Sequence, residues 1–93
     1  MSKTLTELFQ VIQERKFNPT ADSYTASLFS KGEDQILKKV LEEAGEVVVA
    51  SKSGRADQVI YESADLLYHL LVLWAYHGIS LEAIWDELEK RRK

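Results

Sequence analysis

The chain has 93 residues, 45% hydrophobic and 29% charged, a globular composition long enough for one domain. A formal net charge of −3 argues against broad nucleic-acid binding, and the absence of cysteine excludes disulfides and thiolate metal sites. A monomer of this size buries only roughly 60–65% of the surface its unfolded chain exposes, so a second copy sharing the core, most simply a two-fold dimer, is expected.

The opening MSKTLTELFQ lacks the apolar run of a signal peptide. A first helix is expected over about Leu5 to Arg15. Thr4 and Glu7 have capping-box spacing, Leu5, Leu8, Phe9 and Ile12 form one stripe, and Asn18-Pro19 stops it. Thr20 to Lys31 reads as a loop or as a loop followed by a short helical turn from Ser23 to Ser30, stopped by Gly32. A long helix follows over about Asp34 to Ser53 with Gly54 at its C-terminus, and another over about Ala56 to Tyr76, ended by Gly78. Ser80 caps a last helix with the stripe Leu81, Ile84, Trp85 and Leu88. Its closing Lys90-Arg91-Arg92-Lys93 complements the helix dipole. No segment alternates like a strand, repeats or forms a linker. The expected fold is all-α over residues 1–93, a helical bundle of four main helices completed by dimerisation. The most apolar stretch, Leu66 to Tyr76, carries His69 and follows Glu62 and Asp65. It is too short to span a bilayer, so no membrane partner and a cytoplasmic location are expected.

The first long helix contains KKVLEEAGEVV. At 100° per residue Ile36, Val40, Ala44 and Val47 share an arc, with Leu37, Leu41 and Val48 beside it. Glu43 falls at the edge of that arc, Glu46 and Lys39 further out, and Glu42 and Lys38 further still. Lys38–Glu42 and Lys39–Glu43 are also i,i+4 pairs, which alone describe a solvated helix face.

The next helix changes that balance. From Val59 to Tyr76 it is apolar almost all round, which marks burial on most sides, yet Glu62, Asp65 and His69 share one sector, with Gln58 nearby. Ionised carboxylates among leucines are unfavourable unless paired or coordinated, and this helix has no lysine of its own. Either a neighbouring helix supplies Lys or Arg, or a divalent cation sits there. If the neighbour is the Asp34–Ser53 helix, it brings Glu43 and Glu46, and acid facing acid needs a cation. Oxygen ligands without cysteine suit Mg²⁺, or Mn²⁺, better than Zn²⁺. Mg²⁺ normally combines a few carboxylates with substrate phosphates, and Lys31, Lys38, Lys39, Lys52 and Arg55 are close in sequence to meet the remaining phosphate charge. His69, one turn from Asp65, reads as a hydrogen-bonded structural residue, and Trp74 and Trp85 as core or dimer anchors.

Glu42-Glu43-x-x-Glu46, followed after fifteen residues by Glu62-x-x-Asp65, resembles the EExxE…ExxD signature of the all-α nucleoside triphosphate pyrophosphohydrolases, the MazG-like superfamily. Ser23-Tyr24-Thr25-Ala26-Ser27-Leu28-Phe29, Lys31-Gly32, Lys38-Lys39-Val40, the run Ala64-Asp65-Leu66-Leu67-Tyr68-His69-Leu70-Leu71-Val72-Leu73 and Gly78-Ile79-Ser80 narrow it. Over about Leu5 to Arg91 the chain is similar to the phosphoribosyl-ATP pyrophosphatase family.

That resemblance implies Mg²⁺-dependent hydrolysis of 1-(5-phosphoribosyl)-ATP to 1-(5-phosphoribosyl)-AMP and pyrophosphate, the second step of histidine biosynthesis. It implies Glu43, Glu46, Glu62 and Asp65 as metal ligands and Glu42 or Glu46 as the residue orienting the attacking water. Lys38 and Lys39, with Lys31, would hold phosphates, and Ser23, Thr25 and Ser27 would donate hydroxyls to the ribose phosphates. The phosphoribosyl-AMP cyclohydrolase domain fused to this one in some organisms is expected to be absent from this chain. A house-cleaning hydrolase of non-standard or excess deoxynucleotides is the nearest alternative. A non-catalytic helical interaction module, docking through its acidic face, is the alternative from another class.

Overall fold

A computed structural model describes residues 2–92, and places five helices in order: α1 (Lys3–Phe17), α2 (Tyr24–Lys31), α3 (Glu33–Ser53), α4 (Ala56–His77) and α5 (Leu81–Arg91). Among the described residues there is no strand.

The expected capping box at Thr4–Glu7 does not form. Ser2 caps α1 instead: its Oγ accepts the Leu5 N–H at 3.4 Å and its carbonyl accepts the Thr6 hydroxyl at 3.0 Å. Ser2 is an equally good cap and nothing in Lys3-Thr4 resists the helix, so α1 starts earlier and Glu7 pairs with Lys3 at 3.8 Å. At the other end Asn18 precedes proline and leaves the helical region, its N–H donating to the Glu14 carbonyl at 2.7 Å.

The ambiguous segment is a turn up to Ser23 followed by the eight-residue helix α2. Ser23 Oγ accepts the Ala26 N–H at 3.1 Å, and Gly32, at φ 95°, ends α2 and leads straight into α3 without a loop. The helix count is therefore five rather than four main helices and a turn. The α3–α4 hairpin, closed by left-handed Gly54, makes the most extensive helix pairing, with α1 against α4 and α2 between α1 and α3.

The core gathers at one end of this hairpin. Phe9, Ile12, Leu28, Ile36, Leu71, Val72, Ala75 and Leu81 form one buried cluster, and Trp74 and Trp85 pack on it, which settles both tryptophans as core contacts. Lys16 of α1 closes the same end: its Nζ donates to the carbonyls of Ala75 at 2.9 Å and Tyr76 at 3.1 Å, in the last turn of α4.

The opposite end is different. The expectation that α4 is buried on most sides holds for its C-terminal half only, because Ile60 and Tyr61 in the N-terminal half are exposed. Leu37, Leu41 and Val48, expected beside the buried arc of α3, also face outward, Leu41 at 76% exposure. The cause is topological. The buried contacts of α1 and α5 lie at the core end, so this stretch of the hairpin has its outer face uncovered. The basic last turn of α5 holds Lys90 and Arg91, Arg92 is its extended cap, and Lys93 lies outside the described residues. Among the described residues no helix is long and apolar enough to cross a membrane.

Candidate metal centre

The inner row of α3 carries Ile36, Glu43 and Ala50, seven residues apart, with Val40, Ala44 and Val47 partly buried beside them. Glu43 is only 7% exposed, so it stands in the middle of the packed face rather than at its edge. The outward-facing Leu37, Leu41 and Val48 drew the apolar arc of the helical wheel away from it. On α4, Glu62 and Asp65 are one turn apart and face Glu43. One carboxylate oxygen from each of the three residues lies within 4.8 Å of the others.

Lys39 brings positive charge to this group. Its Nζ is 3.4 Å from Glu43 Oε1 and 3.4 Å from Glu42 Oε2, while Lys38 sits 3.9 Å from Glu42 Oε1. Thus a neighbouring lysine does reach the acids, but one ammonium faces three converging carboxylates. The Glu43 carboxyl is pushed above its ordinary 4.5, first by burial and then by hydrogen bonding with and repulsion from Asp65, against the pull of Lys39. Burial opposes the charge on Lys39, yet its pKa is raised because Tyr24, Glu43 and Glu42 favour the ammonium. A cluster of oxygen donors short of positive charge fits a hard divalent cation such as Mg²⁺.

Two open recesses flank the cluster. One, of about 250 Å³, is lined by Glu46, Ala50, Arg55, Gln58 and Glu62, and so shares Glu62 with the cluster. The other, of about 260 Å³, is lined by Tyr61, Ala64, Asp65 and Tyr68, and shares Asp65. Glu46 is therefore on the wall of an adjoining recess, while the convergent trio is Glu43, Glu62 and Asp65. Glu42 is exposed and paired with the two lysines. Lys31 is exposed at the end of α2, and Arg55 pairs with Asp57 at 2.9 Å.

The hydroxyls of α2 are engaged within the protein. Ser23 caps the helix, Ser27 Oγ donates to the Tyr24 carbonyl at 2.6 Å, and buried Thr25 hydrogen-bonds the Tyr68 hydroxyl. His69 is 3% exposed, with Nδ1 2.8 Å from the Asp65 carbonyl and Nε2 2.8 Å from the Tyr24 hydroxyl, as suits a structural histidine. Tyr24 and Tyr68 are the participants that spacing along the chain did not single out, because their contacts cross from α2 to α4.

Residues 5–92 match the model of the family described as phosphoribosyl-ATP pyrophosphohydrolase. The chain belongs to that family. It is 58% identical over 87 residues to the phosphoribosyl-ATP pyrophosphatase of Trichlorobacter lovleyi, covering 94% of this chain and 81% of that protein. The corresponding protein of Geotalea daltonii is 54% identical over 87 residues, 94% of this chain and 82% of its own length. A histidine biosynthesis bifunctional protein of Caldanaerobacter subterraneus is 53% identical over 89 residues, which are 96% of this chain and 43% of that protein. For a phosphoribosyl-ATP pyrophosphohydrolase, whose substrate is a polyanion, a net-negative cluster is repulsive by itself. A divalent cation held by its donors would offset that repulsion.

Proposed function

We propose that this chain acts as a cytoplasmic enzyme hydrolysing 1-(5-phosphoribosyl)-ATP to 1-(5-phosphoribosyl)-AMP and pyrophosphate at the Glu43–Glu62–Asp65 cluster, with Mg²⁺ as its cation. The reaction, a step of histidine biosynthesis, follows from family membership. The observation that supports the seat of the chemistry is the convergence of three carboxylate oxygens within 4.8 Å around a buried acid of raised pKa.

Glu43, Glu62 and Asp65 would hold the cation, with Glu46 able to add an oxygen from the wall of the recess it shares with Glu62. When bound, a divalent cation would neutralise charge on the leaving pyrophosphate and ease deprotonation of the attacking water. Glu46 also orients the attacking water in preference to Glu42, because Glu42 is engaged by Lys38 and Lys39 whereas Glu46 faces open space. Lys39, already inside the cluster, meets phosphate charge there, and Lys38 and Lys31 extend the positive rim. Ser23, Thr25 and Ser27 serve the site indirectly by fixing α2.

A second copy of the chain covers Leu41, Val48, Ile60 and Tyr61, large hydrophobic side chains that stand exposed on the α3–α4 hairpin. Sedimentation equilibrium at micromolar concentration should give twice the 10.6 kDa chain mass, and a stable 10.6 kDa species contradicts this part.

Pyrophosphate release from phosphoribosyl-ATP, dUTP, dCTP and ITP with Mg²⁺ tests the activity. The expected outcome is a preference for phosphoribosyl-ATP of about 10²-fold or more in kcat/KM. Comparable turnover of a deoxynucleotide identifies a house-cleaning hydrolase instead. Nucleotide binding without release of pyrophosphate identifies an interaction module.

A further inference from the structure

The start of α2, Ser23-Tyr24-Thr25-Ala26-Ser27, carries four hydroxyls. Three of them are occupied within the fold: Ser23 by its helix cap, Ser27 by the Tyr24 carbonyl, Thr25 by Tyr68. Tyr24 differs. It is 51% exposed, yet its hydroxyl is held 2.8 Å from Nε2 of a buried histidine, with the two rings edge to face at 82°. Through His69, whose Nδ1 is 2.8 Å from the Asp65 carbonyl, the hydroxyl is tied to the residue that brings a carboxylate to the cluster.

The direction of each hydrogen bond follows from the chemistry of the partners. The Asp65 carbonyl, 2.8 Å from His69 Nδ1, can only accept, so Nδ1 carries the proton. An uncharged ring then presents a bare lone pair at Nε2, and the Tyr24 hydroxyl must donate to it. With its proton so committed, the Tyr24 oxygen offers only lone pairs. Carboxylates and the oxygens of an ionised polyphosphate also offer only lone pairs, and they repel it. The donors that a phosphoribosyl nucleotide carries are the hydroxyls of its sugars and the exocyclic N–H of its base, and of these the sugar hydroxyls lie nearer the phosphates, because the sugar joins them to the base.

We propose that Tyr24 is a substrate-contacting residue whose oxygen accepts a hydrogen bond from a ribose hydroxyl of the bound phosphoribosyl nucleotide, and that His69 is the positioning residue that fixes it there. This rests on the reading that phosphoribosyl-ATP is hydrolysed at the Glu43–Glu62–Asp65 cluster. It separates two tasks at the rim: the lysines meet phosphate, and Tyr24 reads sugar. His69 also joins Tyr24 on α2 to the backbone of α4 at Asp65, so that the sugar contact and a cation ligand keep one spacing.

The test is steady-state pyrophosphate release from phosphoribosyl-ATP at saturating Mg²⁺ by the wild-type chain and by Tyr24→Phe, His69→Gln, His69→Asn and the double variant Tyr24→Phe/His69→Asn. Phenylalanine keeps the ring and removes the oxygen. It should raise KM about 10-fold and leave kcat within about threefold, the signature of a lost binding contact that is equal in ground and transition states. A glutamine amide reaches the place of Nε2 and can accept from Tyr24, so His69→Gln should keep KM within about threefold of wild type. An asparagine amide reaches only the place of Nδ1, so His69→Asn should raise KM as Tyr24→Phe does, and the double variant should be no worse than either. An unchanged KM for Tyr24→Phe in the presence of normal wild-type activity overturns the proposal while leaving the active site intact. So does a His69→Gln variant as impaired as His69→Asn. A wild-type chain that releases no pyrophosphate from phosphoribosyl-ATP overturns the site itself, and this inference with it.

Discussion

The two halves of α4 obey different rules. In the C-terminal half Leu71, Val72 and Ala75 are sealed beneath α1 and the start of α5, and Lys16 closes the helix end. Apolar groups are inside, and the indole Nε1 of Trp85 is the buried side-chain polar atom left without a partner among the described residues. In the N-terminal half the sorting is inverted: Ile60 and Tyr61 point outward while Glu62 and Asp65 turn toward buried Glu43. Neither inversion is favourable alone, since converging carboxylates repel and exposed apolar area loses its hydrophobic stabilisation. One continuous helix lets the closed half hold the open half in place. The proposed site lies where the ordinary sorting fails, as expected of a functional site on a stable scaffold.

That contrast can be broken from either side. The largest effect should come from the closed half. Leu71→Ala leaves a cavity in a fully buried position and should lower stability by about 3–5 kcal/mol, or more than about 10 °C in melting temperature for a chain of this size. Urea or thermal unfolding measures it, and a loss under about 1 kcal/mol would mean that this end is not the core.

In the open half, Glu62→Gln should lower kcat by about 10²–10³-fold, and Glu46→Gln by about 10²-fold, with the fold intact by circular dichroism. Activity within about threefold of wild type removes the residue concerned from the site. Lys16→Met should have the smallest effect of these, about 1–2 kcal/mol from the two hydrogen bonds it removes, since the Ala75 carbonyl keeps the Gly78 N–H, with kcat unchanged. A fall in kcat for Lys16→Met at full folding would show that the two halves of α4 are coupled more tightly than their packing implies.

Local signals in the sequence carried most of the fold. Gly54 and Gly78 do end their helices in left-handed conformation, and Ser80 does cap the helix that follows it. Each is a residue acting on its own few neighbours, which periodicity and capping rules describe well. The acidic spacing was legible for the same reason, since one turn separates Glu62 from Asp65 on any helix. What the chain did not reveal depends on contacts between helices. Lys16 reaching the end of α4, Tyr24 meeting His69, and the outward turn of Leu41 and Ile60 follow from which helices pack where. The helical wheel treated every apolar residue as a vote for the inside, and so placed Glu43 at an edge when it stands in the middle. Ser2 over Thr4 as the cap of α1 was a contest between two similar residues that spacing alone does not decide.

The central claim, that the trio binds a divalent cation, is tested most directly by thermal melts of wild type and Asp65→Asn with Mg²⁺ against NaCl of matched ionic strength, at pH 6 and pH 8. Glu43 has a folded pKa above its unfolded value, so its protonated form favours the fold. That contribution is full below its ordinary 4.5 and is lost as pH rises through the raised folded value. The cation-free wild type should therefore gain stability as the pH falls from neutrality toward 4.5. Mg²⁺ binds the ionised carboxylates, so its stabilisation should be larger at pH 8 than at pH 6. Asp65→Asn removes the repulsion on Glu43. It should melt higher than wild type without Mg²⁺, show a flatter pH dependence, and lose most of the Mg²⁺ shift. A Mg²⁺ shift that survives undiminished in Asp65→Asn, or one no larger than that of matched NaCl in the wild type, contradicts the metal centre.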